Sequence, residues 1–169
     1  FLLENGSPTT RATLAERSSH RVRNELGRCN LPIRAAEDGW LDSYDFVAAA
    51  SILSRLAEAR DHVDIFIRRL AQGDHFAEIV HILSAITGLG LDTTKHVLVS
   101  LDTEPFVVIA RVLGLRNETV LELLATGPWL HRLDVRNRDA TMARFRSLDP
   151  EEARERMKVW VDHDKHQIH

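Results

Sequence analysis

Apolar residues recur along most of the chain at spacings of three and four residues, the pattern of amphipathic helices. The longest uninterrupted case predicts a helix over residues 43–60, with an inward stripe of Phe46, Val47, Ala50, Leu53, Leu56 and Ala57. The same pattern predicts helices over 10–26, 61–72, 74–87, 92–101, 103–113, 117–125, 134–146 and from 150 onwards. Apolar–polar alternation typical of a β-strand is missing, so the sequence predicts an all-α protein.

Local signals mark where several of these helices begin and end. Asp149-Pro150-Glu151-Glu152 combines an aspartate cap, a proline at the first helical position and a glutamate three residues after the cap. The helix that follows carries the apolar residues Ala153, Met157, Val159, Trp160 and Val161. Asp74 is also predicted to cap a helix and Gly73 to end one, and another helix is predicted to begin at about Asp134.

One part of the pattern occurs twice. Residues 83–98 are echoed by residues 109–124, with Gly88-Leu89 aligned on Gly114-Leu115. This alignment pairs Leu83 with Ile109, Ile86 with Val112, Asp92 with Glu118, Thr93 with Thr119, Val97 with Leu123 and Leu98 with Leu124. A recurring unit of helix, turn and helix indicates stacked antiparallel hairpins. We therefore predict an irregular array of about eight to ten helices with one well-kept repeat.

Composition adds few constraints to this picture. The 169 residues suit one helical domain over 1–169, with 1–36 as a semi-independent N-terminal hairpin and 162–169 as a polar tail. Cys29 is the only cysteine, which excludes an internal disulfide and suits a reducing compartment. No apolar run approaches the roughly 18 residues that span a bilayer. These features predict a cytoplasmic protein, and the opening Phe1-Leu2-Leu3 without Met suggests a fragment of a longer one.

Two stretches of the sequence resemble a bacterial protein family. One is Phe66-Ile67-Arg68-Arg69-Leu70-Ala71-Gln72-Gly73-Asp74, followed by residues 82–98 with their Thr87-Gly88-Leu89 turn. The other is Phe145-Arg146-Ser147-Leu148-Asp149-Pro150-Glu151-Glu152-Ala153, closing on Trp160. Together they resemble the uncharacterised family called domain of unknown function 2336. The resemblance implies an all-helical, cytoplasmic, bacterial protein, and it brings no catalytic residue and no assigned activity.

Two details qualify this resemblance. Residues 2–16 are similar to the opening of a HEAT-type repeat, so we expect the array to be HEAT-like. The sequence departs from the family at Gly90, because the family tends to have Pro between the two leucines of that turn. We expect the turn to survive, since glycine permits the backbone angles of a tight link between helices.

Histidines are the first candidates for chemistry, because the chain holds nine of them. His163, His166 and His169 follow one another at spacings of three, and such residues could gather a metal on one side of a helix. The alternative interpretation is a solvated polar tail that binds no metal, and we predict no cofactor. His81 and His96, on predicted helices, are candidate phosphoacceptors of a histidine-phosphotransfer protein, or else structural histidines.

Enzyme motifs are missing from the sequence. Gly88-Leu89-Gly90 lacks the third glycine and the preceding strand of a dinucleotide loop, so we interpret it as a helix ending. Neither a phosphate-binding loop, nor a zinc-protease motif, nor a nucleophile elbow occurs. We therefore predict that the chain is not an enzyme, with an unrecognised catalytic or ligand site as an alternative.

Charge is distributed unevenly along the chain, although the net charge is only −3. Residues 37–64 hold seven acidic residues against two arginines. Residues 131–148 hold two aspartates and five arginines, namely Arg132, Arg136, Arg138, Arg144 and Arg146. These charges either form solvated faces and internal ion pairs or provide docking faces. Nucleic acid is disfavoured because only Phe145 in the basic stretch offers a stacking ring.

Tryptophans give a last candidate for an interface. Trp40, Trp129 and Trp160 each follow or end a predicted helix, and core packing is the main interpretation. An exposed Trp129 beside Gly127-Pro128 is the alternative, as an interface anchor next to the five arginines. The leading hypothesis is thus a helical module that binds an unknown protein partner or itself, and not a membrane.

Overall fold

A computed structural model describes residues 38–58 and 62–167. These residues are mostly helical and contain no strand, which confirms the all-α prediction. A 3-10 turn over Asp38–Trp40 comes first. The α-helices that follow are α1 (Phe46–Ala49), α2 (Ile52–Glu58), α3 (Val63–Gln72), α4 (Phe76–Thr87), α5 (Leu91–Val99), α6 (Glu104–Val112), α7 (Asn117–Leu123), α8 (Pro128–Arg132), α9 (Val135–Ser147) and α10 (Pro150–Gln167). The predicted hairpin over 1–36 and Cys29 lie outside the described residues.

Helix α6 lies at the centre of the hydrophobic core. Five consecutive residues, Phe106 to Ala110, are buried, so this helix has no side that faces water over that length. It packs against α5, α9 and α10. Helices α3 and α7 pack side by side and run in the same direction, because Asp64 bonds Arg116 near their starts and Gln72 bonds Glu122 near their ends.

The sequence echo is a repeat of conformation as well as of pattern. Gly88 and Gly114 both have a positive φ, 76° and 63°, which is the left-handed geometry that ends a helix and favours glycine. The leucine after each glycine is buried. The next residues, Gly90 and Arg116, both have the extended conformation of a residue that precedes a helix, with ψ values of 152° and 157°.

Each of these two positions is capped by an aspartate from a distant helix. The backbone N–H of Gly90 donates to the Asp164 carboxylate, which also accepts from the Thr93 hydroxyl at 2.8 Å. In the second copy the N–H of Arg116 donates to Asp64 at 2.9 Å. A carboxylate at a helix start satisfies a free N–H and complements the positive end of the helix dipole.

The role predicted for Gly90 is wrong. Its φ of −60° and ψ of 152° suit any residue, so no unusual backbone angle is needed there. Glycine instead leaves room for its partner, because a Cβ atom at this position would lie 2.9 Å from Oδ2 of Asp164. Proline would fit the same φ but could not donate to Asp164, since it has no N–H.

The prediction of one long helix over residues 43–60 is also wrong. The segment is divided into α1 and α2, and the N–H groups of Ala50 and Ser51 bond three residues back instead of four. None of the six residues of the predicted inward stripe is fully buried, and Val47 is 89% exposed. The buried residues are Ala49 and Ile52, because the division turns a different set of side chains towards α4.

Asp74 does not cap α4, contrary to the prediction. It has a φ of 54°, and its carboxylate accepts the N–H of Gly127 at 2.8 Å, so it joins the α3–α4 turn to the α7–α8 turn. Position 75, which precedes α4, makes no side-chain cap bond.

The Asp74 carboxylate also affects Tyr44. Burial, together with the nearby Asp74 charge, raises the pKa of the Tyr44 phenol.

Other predicted helix ends are confirmed. Asp134 accepts from the N–H of Asn137 at 2.7 Å, and Asp149 accepts from Glu151 at 2.9 Å. Gly73 ends α3. These caps are local, spanning two or three residues, and a sequence pattern can therefore locate them.

The apolar residues of the last helix differ in exposure. Ala153, Met157 and Trp160 are buried, Val161 is half-buried and Val159 is exposed. The helix continues to Gln167 and so includes most of the segment predicted to be a polar tail. Asp164 of this segment is held against the start of α5.

The repeat also contains one buried hydroxyl that lacks a hydrogen bond. The Thr119 hydroxyl, fully buried, meets no partner among the described residues, whereas its equivalent, Thr93, binds Asp164. Thr119→Val is expected to raise the free energy of unfolding by up to about 1 kcal/mol, because it removes a desolvated polar group at nearly constant volume. Urea denaturation measures this change.

Thr126→Val is the matched control, because Thr126 is equally buried but donates to the carbonyl oxygen of Glu122 at 2.6 Å. It is expected to lower the free energy of unfolding by about 1–2 kcal/mol. Equal destabilisation by both valine variants would contradict the interpretation of Thr119.

Candidate functional site

The junction between α5 and α8 is built around Trp129. This side chain is only 1% exposed, and its ring packs edge-on against Phe106 with 5.0 Å between the centroids. Its indole N–H donates to the carbonyl oxygen of Ser100 at 2.8 Å, just after the end of α5. Because Trp129 is buried, it cannot be the exposed interface anchor suggested by the sequence. It fixes the position of the short helix α8 instead.

Two arginines of the basic stretch strengthen the same junction. Arg132 donates to the carbonyl oxygen of Val99, one of the oxygens left free where α5 ends. Its guanidinium also lies 5.4 Å from the centroid of the Trp40 ring, within the range of a cation–π contact. Arg138 donates to the carbonyl oxygen of Leu130 at 3.1 Å. Both arginines therefore hold the backbone of this junction in place.

Apolar side chains at this junction are exposed to water. Trp40, Leu101 and Leu130 are 45%, 50% and 46% exposed, and Val135, at the start of α9, is 72% exposed. Two contacts connect the segments that carry them. Trp40 contacts Arg132, three residues before Val135, and Trp129, which precedes Leu130, donates to the carbonyl oxygen of Ser100, which precedes Leu101. We call these four residues, with Arg132, the α5–α8 surface. Groups of exposed apolar residues often mark interaction sites.

The five arginines proposed from the sequence thus separate into two groups. Arg132 and Arg138 are half-buried and bond backbone carbonyls. Arg136, Arg144 and Arg146 are exposed on α9, and Arg136 is next to Val135 of the α5–α8 surface. Three exposed arginines therefore remain on α9, of which Arg136 adjoins the α5–α8 surface, and the five do not form a single face.

The histidines proposed as metal ligands lie on the outer side of α10. His163 and His166 are exposed, and a ring nitrogen of His166 donates to the carbonyl oxygen of Asp162. His169 lies outside the described residues. In the part of the chain that the structure describes, His, Cys, Asp and Glu side chains form no group of three suited to a metal ion.

The two candidate phosphoacceptors do not have the exposure that phosphotransfer requires. His96 is buried in α5. His81 is half-buried, and its Nε2 donates to the carbonyl oxygen of Phe46 at 2.6 Å. A partner response regulator needs a freely accessible imidazole, so the structure contradicts the expectation of an exposed histidine on either helix.

The residues of the α5–α8 surface were only partly visible in the sequence. The sequence pointed to the arginines and to Trp129, but it gave no reason to expect exposed Leu101, Leu130 or Trp40. Leu101 comes directly after a helix end, and Leu130 follows the Gly127-Pro128 helix start. At both places the spacing of apolar residues does not show which side chains face the core. Their juxtaposition depends on the packing of α8 against α5.

Comparisons with known proteins give a family and no activity. None of the helices that the structure describes is both long enough and apolar enough to cross a membrane. Neither the curated proteins nor the solved structures contain a significant match. A family described as "uncharacterised protein conserved in bacteria (DUF2336)" matches residues 2–158, which is most of the chain. This match includes residues 66–98 and 145–153, which resembled the family, and the α5–α8 surface, and the chain therefore belongs to the DUF2336 family of bacterial proteins.

Proposed function

We propose that this chain is a non-enzymatic binding module, and that its α5–α8 surface holds a segment of another protein in which apolar side chains stand next to carboxylates. The observation that carries the proposal is the exposure of Trp40, Leu101 and Leu130 around Arg132. Tryptophan, here the exposed Trp40, is among the residue types most enriched at binding hot spots.

The rigidity of the junction supports the proposal. Trp129, Arg132 and Arg138 each bond a backbone carbonyl oxygen in this region, so the exposed side chains stand on a fixed backbone. A surface that is already ordered loses less conformational entropy when a partner binds. Most of the free energy gained by burying apolar area can therefore contribute to affinity.

Charge supports the choice of an acidic partner. Arg136 is exposed next to Val135, and the exposed charges from Asp134 to Arg146 are three arginines (Arg136, Arg144 and Arg146) against two aspartates (Asp134 and Asp139). An exposed arginine at the border of the surface favours acidic segments and disfavours basic ones. Contacts with the apolar centre then supply affinity, while the arginines favour acidic partners over basic ones.

We also infer a cytoplasmic setting and a HEAT-like stacking of the helical hairpins. The single cysteine of the sequence suits a reducing compartment. The conformational repeat of Gly88 and Gly114 supports the stacking. Arrays of this kind present broad surfaces to partners, in agreement with the proposed role.

Selection from a displayed library of random peptides tests the proposal. The wild-type chain is expected to enrich peptides in which aspartate or glutamate neighbours leucine, phenylalanine or tryptophan. The affinity of an enriched peptide is expected to fall about tenfold in the double variant Leu101→Ser/Leu130→Ser, because its apolar contacts are lost. Arg136→Glu and added salt should each lower the affinity of the same peptide.

Ile65→Ser is the matched control, because Ile65 is similarly exposed but lies on α3, near the start of α7. It should leave peptide affinity unchanged. A library that shows no enrichment, or that enriches the same peptides with the double variant, would overturn the proposal. A dimer seen by light scattering and lost in the double variant would show instead that the occupant is a second copy of this chain.

A further inference from the structure

The final turns of α10 are attached to the fold in a different way from the rest of that helix. Ala153, Met157 and Trp160 are buried, and this part of the helix packs against α6. Beyond Trp160 the exposed side chains are those of Asp162, His163, Lys165 and His166. Val161 is half-buried, and Asp164, at 8% exposure, is the buried side chain of this segment.

Asp164 is held by groups at the start of α5. Its carboxylate accepts the N–H of Gly90 and the hydroxyl of Thr93, so one side chain caps the first turn of that helix. Gly90 lies 74 positions before Asp164 in the chain, and its backbone approaches the carboxylate closely because glycine has no Cβ atom. Hydrogen bonds to a carboxylate are stronger than those between neutral groups.

The equivalent contact in the second copy of the repeat has different support. Asp64 caps Arg116 in the same way, but Asp64 belongs to α3, in which Ile67, Leu70 and Ala71 are buried a few residues later. Apolar packing therefore holds Asp64 in place whether or not it caps α7. Asp164 lacks such support on its C-terminal side, within the residues described.

We propose that residues 161–167 form a strap that Asp164 latches onto the start of α5, and that the strap opens without unfolding the rest of the chain. Opening removes the Asp164 cap from Gly90 and Thr93. It also moves Val161 away from the turn at Gly88, because Cγ1 of Val161 lies only 3.8 Å from where a Cβ atom of residue 88 would be. Segments with few buried apolar side chains open locally at a lower free energy than the core.

Hydrogen exchange of backbone amides, followed by mass spectrometry on the whole chain, tests the strap. In the wild type, residues 161–167 should exchange more slowly than an unstructured peptide and faster than α6. In Asp164→Ala, exchange over 161–167 and over 90–93 should accelerate by about tenfold or more, because two charge-assisted hydrogen bonds are lost. Exchange in α6 should stay unchanged.

Two further variants complete the test. Asp64→Ala should accelerate exchange at the start of α7 and leave residues 161–167 unchanged. Thr93→Val, which removes one of the two bonds, should accelerate the strap by less than Asp164→Ala does. The proposal is overturned if the strap exchanges like an unstructured peptide in the wild type, if Asp164→Ala has no effect on it, or if that variant accelerates α6 to the same extent.

Discussion

Trp129→Ala is expected to lower the free energy of unfolding by about 3–5 kcal/mol, the range for loss of a large buried aromatic side chain. The ring is almost fully buried and packs on Phe106, so its removal leaves a cavity beside the central helix. The variant also leaves the carbonyl oxygen of Ser100 without its indole donor. Since domains of this size are stable by only about 5–15 kcal/mol, the loss is a large share of the total.

Urea denaturation followed by circular dichroism measures the effect, and Trp40→Ala is the matched control. Trp40 is nearly half exposed, so its removal should cost less than about 1 kcal/mol. If Trp129→Ala does not fold, Trp129→Phe keeps a ring in the core, loses the bond to Ser100 and should cost about 1–2 kcal/mol. Equal losses for Trp129→Ala and Trp40→Ala would contradict the assignment of Trp129 to the core.

Trp40→Ala separates stability from binding as well. Trp40 belongs to the α5–α8 surface, whereas Trp129 lies beneath it. The Trp40 variant should therefore fold normally and bind an acidic, apolar peptide more weakly. The Trp129 variant thus tests the core packing of the junction, and the Trp40 variant tests its role in binding.

Gly127→Ala is expected to lower the free energy of unfolding by about 2–4 kcal/mol, from backbone strain and steric overlap together. Gly127 has a φ of 58° and a ψ of −141°, a region that residues with side chains rarely adopt. A Cβ atom at this position would lie 2.3 Å from a ring carbon of Phe76. Relief of that overlap would require Phe76 to move, and this ring is buried against Tyr44.

Gly114→Ala gives the cost of a positive φ without steric overlap. Gly114 has a similar φ of 63°, but no atom lies within 4 Å of a Cβ atom built there. It should therefore show the backbone cost alone, about 1 kcal/mol. Thermal or urea denaturation of both variants gives the difference, and equal destabilisation would show that the overlap with Phe76 is relieved without cost.

The helical pattern predicted most of the fold because its causes are local. Asp134 and Asp149 cap helices through N–H groups two or three residues away, and Gly88 and Gly114 end helices through their own backbone angles. Such signals are contained in a few consecutive residues. The cap predicted for Asp74 was wrong because its partner is far along the chain, at Gly127, 53 positions away. The single helix predicted over 43–60 was wrong in a segment whose two short helices both pack against α4.

The candidate site was less predictable than the fold. The arginine stretch is visible in composition, but the sequence does not show that Arg132 and Arg138 bond backbone carbonyls while Arg136 stays exposed. It also does not show that Trp129 is buried and Leu130 exposed, since both follow the same turn. That choice depends on which side of α8 faces Phe106.

The sequence by itself determined that this protein is helical, where most of its helices lie and that one hairpin is repeated, because apolar spacing, caps and glycine turns act over a few residues. Only the tertiary structure decided which side chains are buried and which distant carboxylates cap which helix. These outcomes depend on how helices pack, and a residue such as Asp164 acquires its role only when α10 places it beside the start of α5.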